Sequence, residues 1–261
     1  AVKQLEKALN SQLFIRTQKG VRLTAEGELL FPYVERGIEN LLDGERMLRR
    51  LVDLDMGEVR IGASDMTLQF YLLPHLERFH GRYPNIKVMV SNAPTPETIQ
   101  SLYEGRIDFG VVSTPFDARP EVAVRPVKKI RNVFVAGSQY QSLKGKRLEY
   151  GALMDLPCIF LEKNTSTRRF MDQFLEERGI FLEPEFELAT SDMIVQFAMR
   201  NLGIGCVMDE FAREKIEAGE LFELTFGERM PDREICIVTD RKNPVSPAGE
   251  RFLEVLGASG I

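Results

Sequence analysis

The 261-residue sequence has no apolar run approaching the roughly 18 residues that span a bilayer, so no membrane segment is predicted. Its two histidines, His75 and His80, are five apart with no cysteine nearby. The i, i+4 spacing of a helical metal site is therefore missing, and both are expected on a helix surface. The three cysteines, Cys158, Cys206 and Cys236, stand far apart in apolar strings such as PCIFL and EICIV. An odd number without metal-ligand spacing reads as buried thiols of a reducing compartment. A phosphate-binding glycine loop is also lacking: Gly203-Ile204-Gly205 has no third glycine and runs into a strand rather than a helix. With no nucleophile–base–orienter set, no catalytic residue, metal or cofactor is implied, and an enzyme is not expected. There is no internal repeat. The opening AVKQLEKALNSQ carries charges of both signs and fits neither a signal nor a transit peptide, which points to a cytoplasmic protein. No Met begins the chain, and Val2, Leu5 and Leu9 already follow helical spacing, so the chain reads as cut upstream.

What is present is unevenly distributed. Residues 1–23 carry Lys3, Lys7, Arg16, Lys19 and Arg22 against Glu6 alone, a net +4, whereas the other 238 residues hold −9 of the total −5. A small basic head on an acidic body confines any nucleic-acid contact to the head. The head reads as a short helix over about 1–10 and a hairpin, QLFIRT-QKG-VRLT. Thr24 then caps a long helix over 24–52, with Glu26 and Glu28 in its first turn and Gly27 standing where a capping box would place Glu or Gln. Leu30, Val34, Gly37, Leu41, Gly44, Leu48 and Leu51 follow a 4-3 spacing along it. A single amphipathic helix packed on its own domain would also show a stripe. A helix of this length between two compact regions favours a self-associating seam.

After a break over Asp53–Gly57, strands alternate with helices. The strands are expected at 58–64, 86–92, 107–113, 132–138, 157–163, 185–191, 204–209 and 235–241, with helices at 67–82, 96–105, 166–178 and 191–201. That alternation predicts an α/β fold with largely parallel sheets, better divided into two small lobes than gathered in one. Hydroxyl residues crowd the strand ends: Ser64 and Thr67, Ser113 and Thr114, Thr165 to Thr167, and Thr190 with Ser191. Each is an ordinary helix N-cap by default. Together, with free helix amides, they also suit an anionic or polar small molecule. Arg168 is placed equally well in such a cleft or in solvent. Asp65 or Asp209, if facing it, would suit a ligand carrying an amine as well as a carboxylate, such as an amino acid. Asp108, next to Phe109, is expected to be a structural hydrogen-bonding residue.

Four stretches in fixed order resemble the LysR family of bacterial regulators: QLEKALNSQLFIRTQKGVRLTAEGE, LLPHLERFHGRYPNI, LYEGRIDFGVV and LATSDMIVQFAMRNLGIG. With YGALMDLPCIFL they extend along the whole chain. The resemblance implies a partial winged helix-turn-helix at 1–23 that begins near the end of the base-reading helix. Lys3, Arg16, Lys19 and Arg22 would then touch DNA phosphates, which position a protein without conferring specificity. It further implies a linker helix at 24–52 that forms a homodimer, with a homotetramer left open. The effector-binding domain at 58–261 would resemble periplasmic binding proteins, with lobe one at 58–131 and 232–261 and lobe two at 132–231. The family pattern puts Ser64, Thr67, Ser166 and Ser191 nearest the effector and Thr165 and Ser113 behind them. Asp65, Thr167 and Met208 complete the candidate set. The expected function is DNA-binding transcriptional regulation by a small polar or anionic metabolite. A solute-binding receptor without DNA function shares the two-lobed architecture and is the alternative, disfavoured by the long N-terminal helix.

Overall fold

The structure is a computed structural model that describes residues 2–17, 20–52 and 57–258, and the side chains of all of these except 17 and 47–52. The chain forms two compact units, Ala1–Leu54 and Asp55–Ile261.

In the first unit, α1 (Val2–Leu9) leads into an antiparallel ribbon of β1 (Phe14–Thr17) and β2 (Gly20–Leu23), followed by α2 (Ala25–Val52). The Glu6 carboxylate fastens helix to ribbon by accepting from the backbone amides of Leu13 (2.8 Å) and Phe14 (3.2 Å). Thr24 caps α2 as expected, its hydroxyl accepting from Gly27 N at 3.0 Å and donating to Gln12 O at 2.7 Å. The broken capping box has a steric cause: a Cβ on Gly27 would stand within 2.3 Å of the Leu13 carbonyl oxygen. Along α2, Val34, Ile38, Leu41 and Leu42 are exposed, and among the described residues no atom stands within 4 Å of where a Cβ on Gly37 or Gly44 would be. Lys19, most of the expected 53–57 break and the side chains of Leu48 and Leu51 lie outside the described residues.

The second unit begins with β3 (Glu58–Ala63), α3 (Asp65–Thr67), a π-helical turn (Leu68–Leu72), α4 (Leu73–Arg82), β4 (Lys87–Asn92), α5 (Thr95–Tyr103), β5 (Phe109–Ser113) and β6 (Val122–Ile130). It continues through β7 (Asn132–Ala136), β8 (Arg147–Leu148), β9 (Cys158–Leu161), α6 (Ser166–Glu176), β10 (Phe186–Leu188), α7 (Ser191–Met199), β11 (Ile204–Met208), α8 (Asp209–Glu217), β12 (Phe222–Glu223), β13 (Thr225–Phe226), β14 (Arg233–Asp240) and α9 (Pro247–Val255). Two five-stranded sheets result, ordered β4-β3-β5-β14-β6 and β10-β9-β11-β7-β12. Each is the centre of one lobe.

The sheets are mixed, not largely parallel. β14 runs antiparallel to β5 and β6, and β7 runs antiparallel to β11 and β12. These are the strands that carry the chain between lobes. A parallel neighbour requires a crossover helix, whereas β6 passes into β7 through Arg131 alone and enters the second sheet directly.

The buried strands β5 and β7 are apolar runs. In the first lobe Phe79 and Phe109 close on Phe252, with ring centroids 4.5 and 5.7 Å from it. Gly62 and Gly110 let α5 lie directly on the sheet, since a Cβ at either would stand under 3.0 Å from Thr98 Cγ2. Asp108 has the structural role expected of it, although it precedes the strand rather than lying within it. Its carboxylate accepts from Arg60 N (2.7 Å) and Ser246 N (2.9 Å), joining β3 to the cap of α9. All three cysteines are buried and free. Burial pushes the thiols of Cys158 and Cys206 up to about 12 and that of Cys236 to about 11, which leaves them unreactive. His80 is exposed, but His75 is half-buried rather than on the surface, and burial lowers its pKa.

Candidate functional site

A cavity of about 320 Å³ opens between the lobes. Its walls include the starts of α3, α5, α6 and α7, with Ser64 and Asp65, Thr95, Thr165 to Thr167, and Thr190 with Ser191. Helix starts converge there because each helix follows a parallel strand, β3, β4, β9 or β10, and those strands end on the same side of their sheets. The first amides of a helix have no partner within it, so such ends present N–H groups and positive potential.

The capping hydroxyls differ in how much capacity remains. Thr165 caps α6 by accepting from Arg168 N at 3.2 Å and donates to Glu162 O at 2.9 Å. Ser64 and Thr67 form a reciprocal capping box on α3, in which Thr67 N donates to Ser64 Oγ and Ser64 N to Thr67 Oγ1 at 2.9 Å. By contrast Thr190 makes no capping bond to α7, and Ser191 beside it is buried at the cavity wall. Across the cleft, Ser113 Oγ from β5 meets Ser166 Oγ from α6 at 2.6 Å. Thr95 Oγ1 lies 3.3 Å from the same Ser166 oxygen and accepts from Ser113 N at 3.4 Å. These hydroxyls link the two lobes at the cavity floor. The lobes also touch where Lys128 meets Glu210 at 2.7 Å and Phe70 packs edge-on against Phe211.

Asp65 is the carboxylate that expectation placed near the cleft, and it lines the cavity with one oxygen lacking a partner. Burial raises its pKa and the nearby Asp192 adds to the rise, while the amides of Met66 and Ser191 oppose it. Glu97 and Glu162 also reach the cavity wall.

Of the nine candidate effector residues, seven border the cavity: Ser64, Asp65, Ser113, Thr165, Ser166, Thr167 and Ser191. Two do not. Thr67 is wholly buried, its hydroxyl donating to Val111 O at 2.8 Å, so it holds the α3 turn against β5 behind the wall. Met208 is packed in the core at the end of β11, because every residue of that strand is buried. Asp209 also stays outside the cavity. Burial would raise its pKa, but its bond with Glu210 and the charges of Arg131 and Arg213 hold it low. Arg168 occupies neither of its two expected places. It is 3% exposed and neutralised by Asp172 and Glu187, each at 2.8 Å. Thr95, Asn92 and Asn164 join the lining without having been anticipated. The strand-end signal that found Ser64 and Ser113 applies equally to the end of β4, where Asn92 and Thr95 stand.

On the head, Lys3, Arg16 and Arg22 are exposed. Arg16 pairs with Val21 and Arg22 with Ile15 across the ribbon, so the two arginines project from opposite faces of it. Among the described residues no group of acidic, histidine or cysteine side chains could hold a metal, and no helix is long and apolar enough to cross a membrane.

Comparison with known proteins accords with this architecture. Residues 1–28 match the bacterial regulatory helix-turn-helix proteins of the lysR family, and residues 53–260 match the LysR substrate binding domain. The chain is 27% identical over 262 residues to the uncharacterized HTH-type transcriptional regulator YeiE of Escherichia coli K12, covering 100% of this chain and 87% of that protein. The regulatory domain of Synechocystis PCC6803 CcmR, solved in complex with 2-PG, superimposes with a TM-score of 0.70 at 20% identity, over 78% of this chain and 97% of that one. The effector binding domain of QuiR, solved with shikimate, gives 0.67 at 16% identity, over 77% and 95%. At these identities the structural likeness establishes the two-lobed fold. The substrate-binding-domain match covers most of the sequence, and with the helix-turn-helix match at its head it makes this chain a member of the LysR family of transcriptional regulators.

Proposed function

We propose that the interlobe cavity senses a small polar or anionic metabolite, and that occupation alters how the subunits of a homo-oligomer present their DNA-contacting heads. The observation that carries the reading is the convergence of four helix starts and a hydroxyl bridge, Ser113 to Ser166, on one cavity fed by both lobes. A ligand that takes over the Ser113–Ser166 bond engages both lobes at once, which gives it a differential affinity for one lobe arrangement. CcmR bound to 2-PG and QuiR bound to shikimate support a ligand of this size and polarity. The Asp65 carboxylate, which borders the cavity, would suit an amine, so an amino acid is a candidate alongside simple carboxylates.

Self-association is assigned to α2. Val34 and Leu41 are exposed on the seam, with Ile38 and Leu42 beside it, and Gly37 and Gly44 leave space for a partner backbone. Contact with DNA phosphates falls to Lys3, Arg16 and Arg22, with Arg16 and Arg22 gripping from opposite faces of the ribbon.

A thermal-shift screen of small metabolites tests the sensor, since a ligand that binds only the folded state raises the melting temperature by mass action. A hit that loses its effect in Ser166→Ala supports the cleft. A library with no hit, or a hit indifferent to Ser166→Ala, contradicts it.

A further inference from the structure

Arg233 opens β14, the strand by which the chain returns from the second sheet to the first. It is 2% exposed. Its Nε donates to Asn132 Oδ1 at 3.0 Å, one Nη to Thr114 O at 2.8 Å and the other to Thr167 Oγ1 at 2.9 Å. The guanidinium carbon lies 5.2 Å from the ring centre of Phe170. Every one of these partners is neutral, and no described carboxylate forms an ion pair with it. Burial pushes its pKa down to about 10, which still leaves it charged at neutral pH.

Arg168, one residue beyond Thr167, sharpens the contrast. It is equally buried, yet two carboxylates neutralise it. A buried cation without a counter-charge is unfavourable unless something nearby supplies one. The cavity is the adjoining space, because Thr167 lines it while accepting from Arg233. Having accepted that bond, the Thr167 hydroxyl presents its hydrogen as the available donor, which suits an acceptor on the ligand. The third bond of Arg233, to Thr114, belongs to the other lobe, while Asn132 and Thr167 belong to the second.

We propose that Arg233 is the positioning residue for an anionic group on the cleft ligand, fixing Thr167 as a donor and joining both lobes to the charge it recognises. This rests on the cleft being the effector site. It narrows the ligand class to molecules bearing a carboxylate or phosphate whose charge meets the start of α6, above Arg233.

The test uses the whole chain, calorimetric titration and three probes: inorganic phosphate, shikimate and the uncharged methyl ester of shikimate. The expected result is that the chain prefers the acid to the ester by about tenfold or more, the scale of a charge-assisted hydrogen bond. The preference falls to near unity in Arg233→Met, is largely kept in Arg233→Lys and is partly lost in Thr167→Val, with phosphate affinity following the same order. A merely structural arginine would weaken acid and ester together and leave their ratio unchanged, so an unchanged ratio in Arg233→Met overturns the proposal. Thr167→Val, which keeps the charge in place, decides the matter if the arginine variants do not fold: a ratio equal to that of the unmodified chain overturns it. Where Ser166→Ala weakens the probes but Arg233→Met spares the ratio, the cleft stands and Arg233 does not. Binding that ignores Ser166→Ala, or no saturable binding of any probe, overturns the cleft reading and this proposal with it.

Discussion

Replacing Leu41 by Asp puts a charge at the centre of the proposed seam on α2. Leu41 is 74% exposed in the single chain, so almost its whole side chain is available for burial by a partner. Burying a leucine side chain fully contributes about 1.5–3 kcal/mol. A two-fold interface buries the residue twice, giving about 3–6 kcal/mol and a dimer dissociation constant weakened on the order of 10²- to 10⁴-fold. The desolvation of the introduced carboxylates adds to this. Because Leu41 is exposed in the monomer, the fold of the effector domain should be untouched, and its melting temperature in the dissociated state should stay constant. Sedimentation velocity across a dilution series reads the change. Glu35, exposed and one position off the seam, is the control, and Glu35→Ala should associate like the unmodified chain. If Leu41→Asp also associates like the unmodified chain, α2 is not the interface and the proposed route from cleft to head fails.

Other substitutions separate the roles of the half-buried carboxylates Asp108 and Asp65. Asp108→Ala removes two backbone-directed bonds to a carboxylate and should lower stability by about 3 kcal/mol in urea unfolding, with the same m-value. Asp65 has a folded pKa raised above its unfolded value, so its ionised form disfavours folding. That penalty is absent below the unfolded aspartate range, sets in as pH rises through the window up to the folded pKa, and is complete above it. Asp65→Asn should therefore raise the melting temperature of the free protein at neutral pH and lose this advantage in acid, as a pH series of thermal melts would show. If the ligand carries an amine, the same substitution weakens its binding at neutral pH; an unaltered affinity in calorimetry would remove the amino acid from the candidates. Gly110→Ala drives a methyl into Thr98 and Val238 and should destabilise by about 1–3 kcal/mol, against no change if α5 can shift outward.

The parts of this molecule that were legible in its sequence are those written locally. The strand cores anticipated along the effector domain are present, most of them shorter than expected and β14 beginning two residues earlier, because local apolar and β-branched runs mark a strand whether it is buried, as β5 is, or half-exposed, as β4 is. The strand VAVRPVKKI of β6 is not legible in the sequence, since it is charged and contains Pro126. It can afford both because it stands at the sheet edge, where Pro126 sits beside a register shift opposite Ile235 and Cys236. The cleft hydroxyls were legible for the same local reason, namely their position at strand ends. Met208 is implied only by the family resemblance, and the packing of β11 buries it. Arg233 carried no local signal. Its partners are 66 to 119 residues away along the chain, and only the folded lobes bring Asn132, Thr114 and Thr167 around one guanidinium.

Hydrogen exchange measured with and without a ligand from the thermal-shift screen reads whether one ligand engages both lobes at the helix starts. Protection should rise together at the amides beginning α3, α6 and α7, with Ser113 at the end of β5 following. Protection confined to one lobe, or rising only around a distant surface, would contradict it.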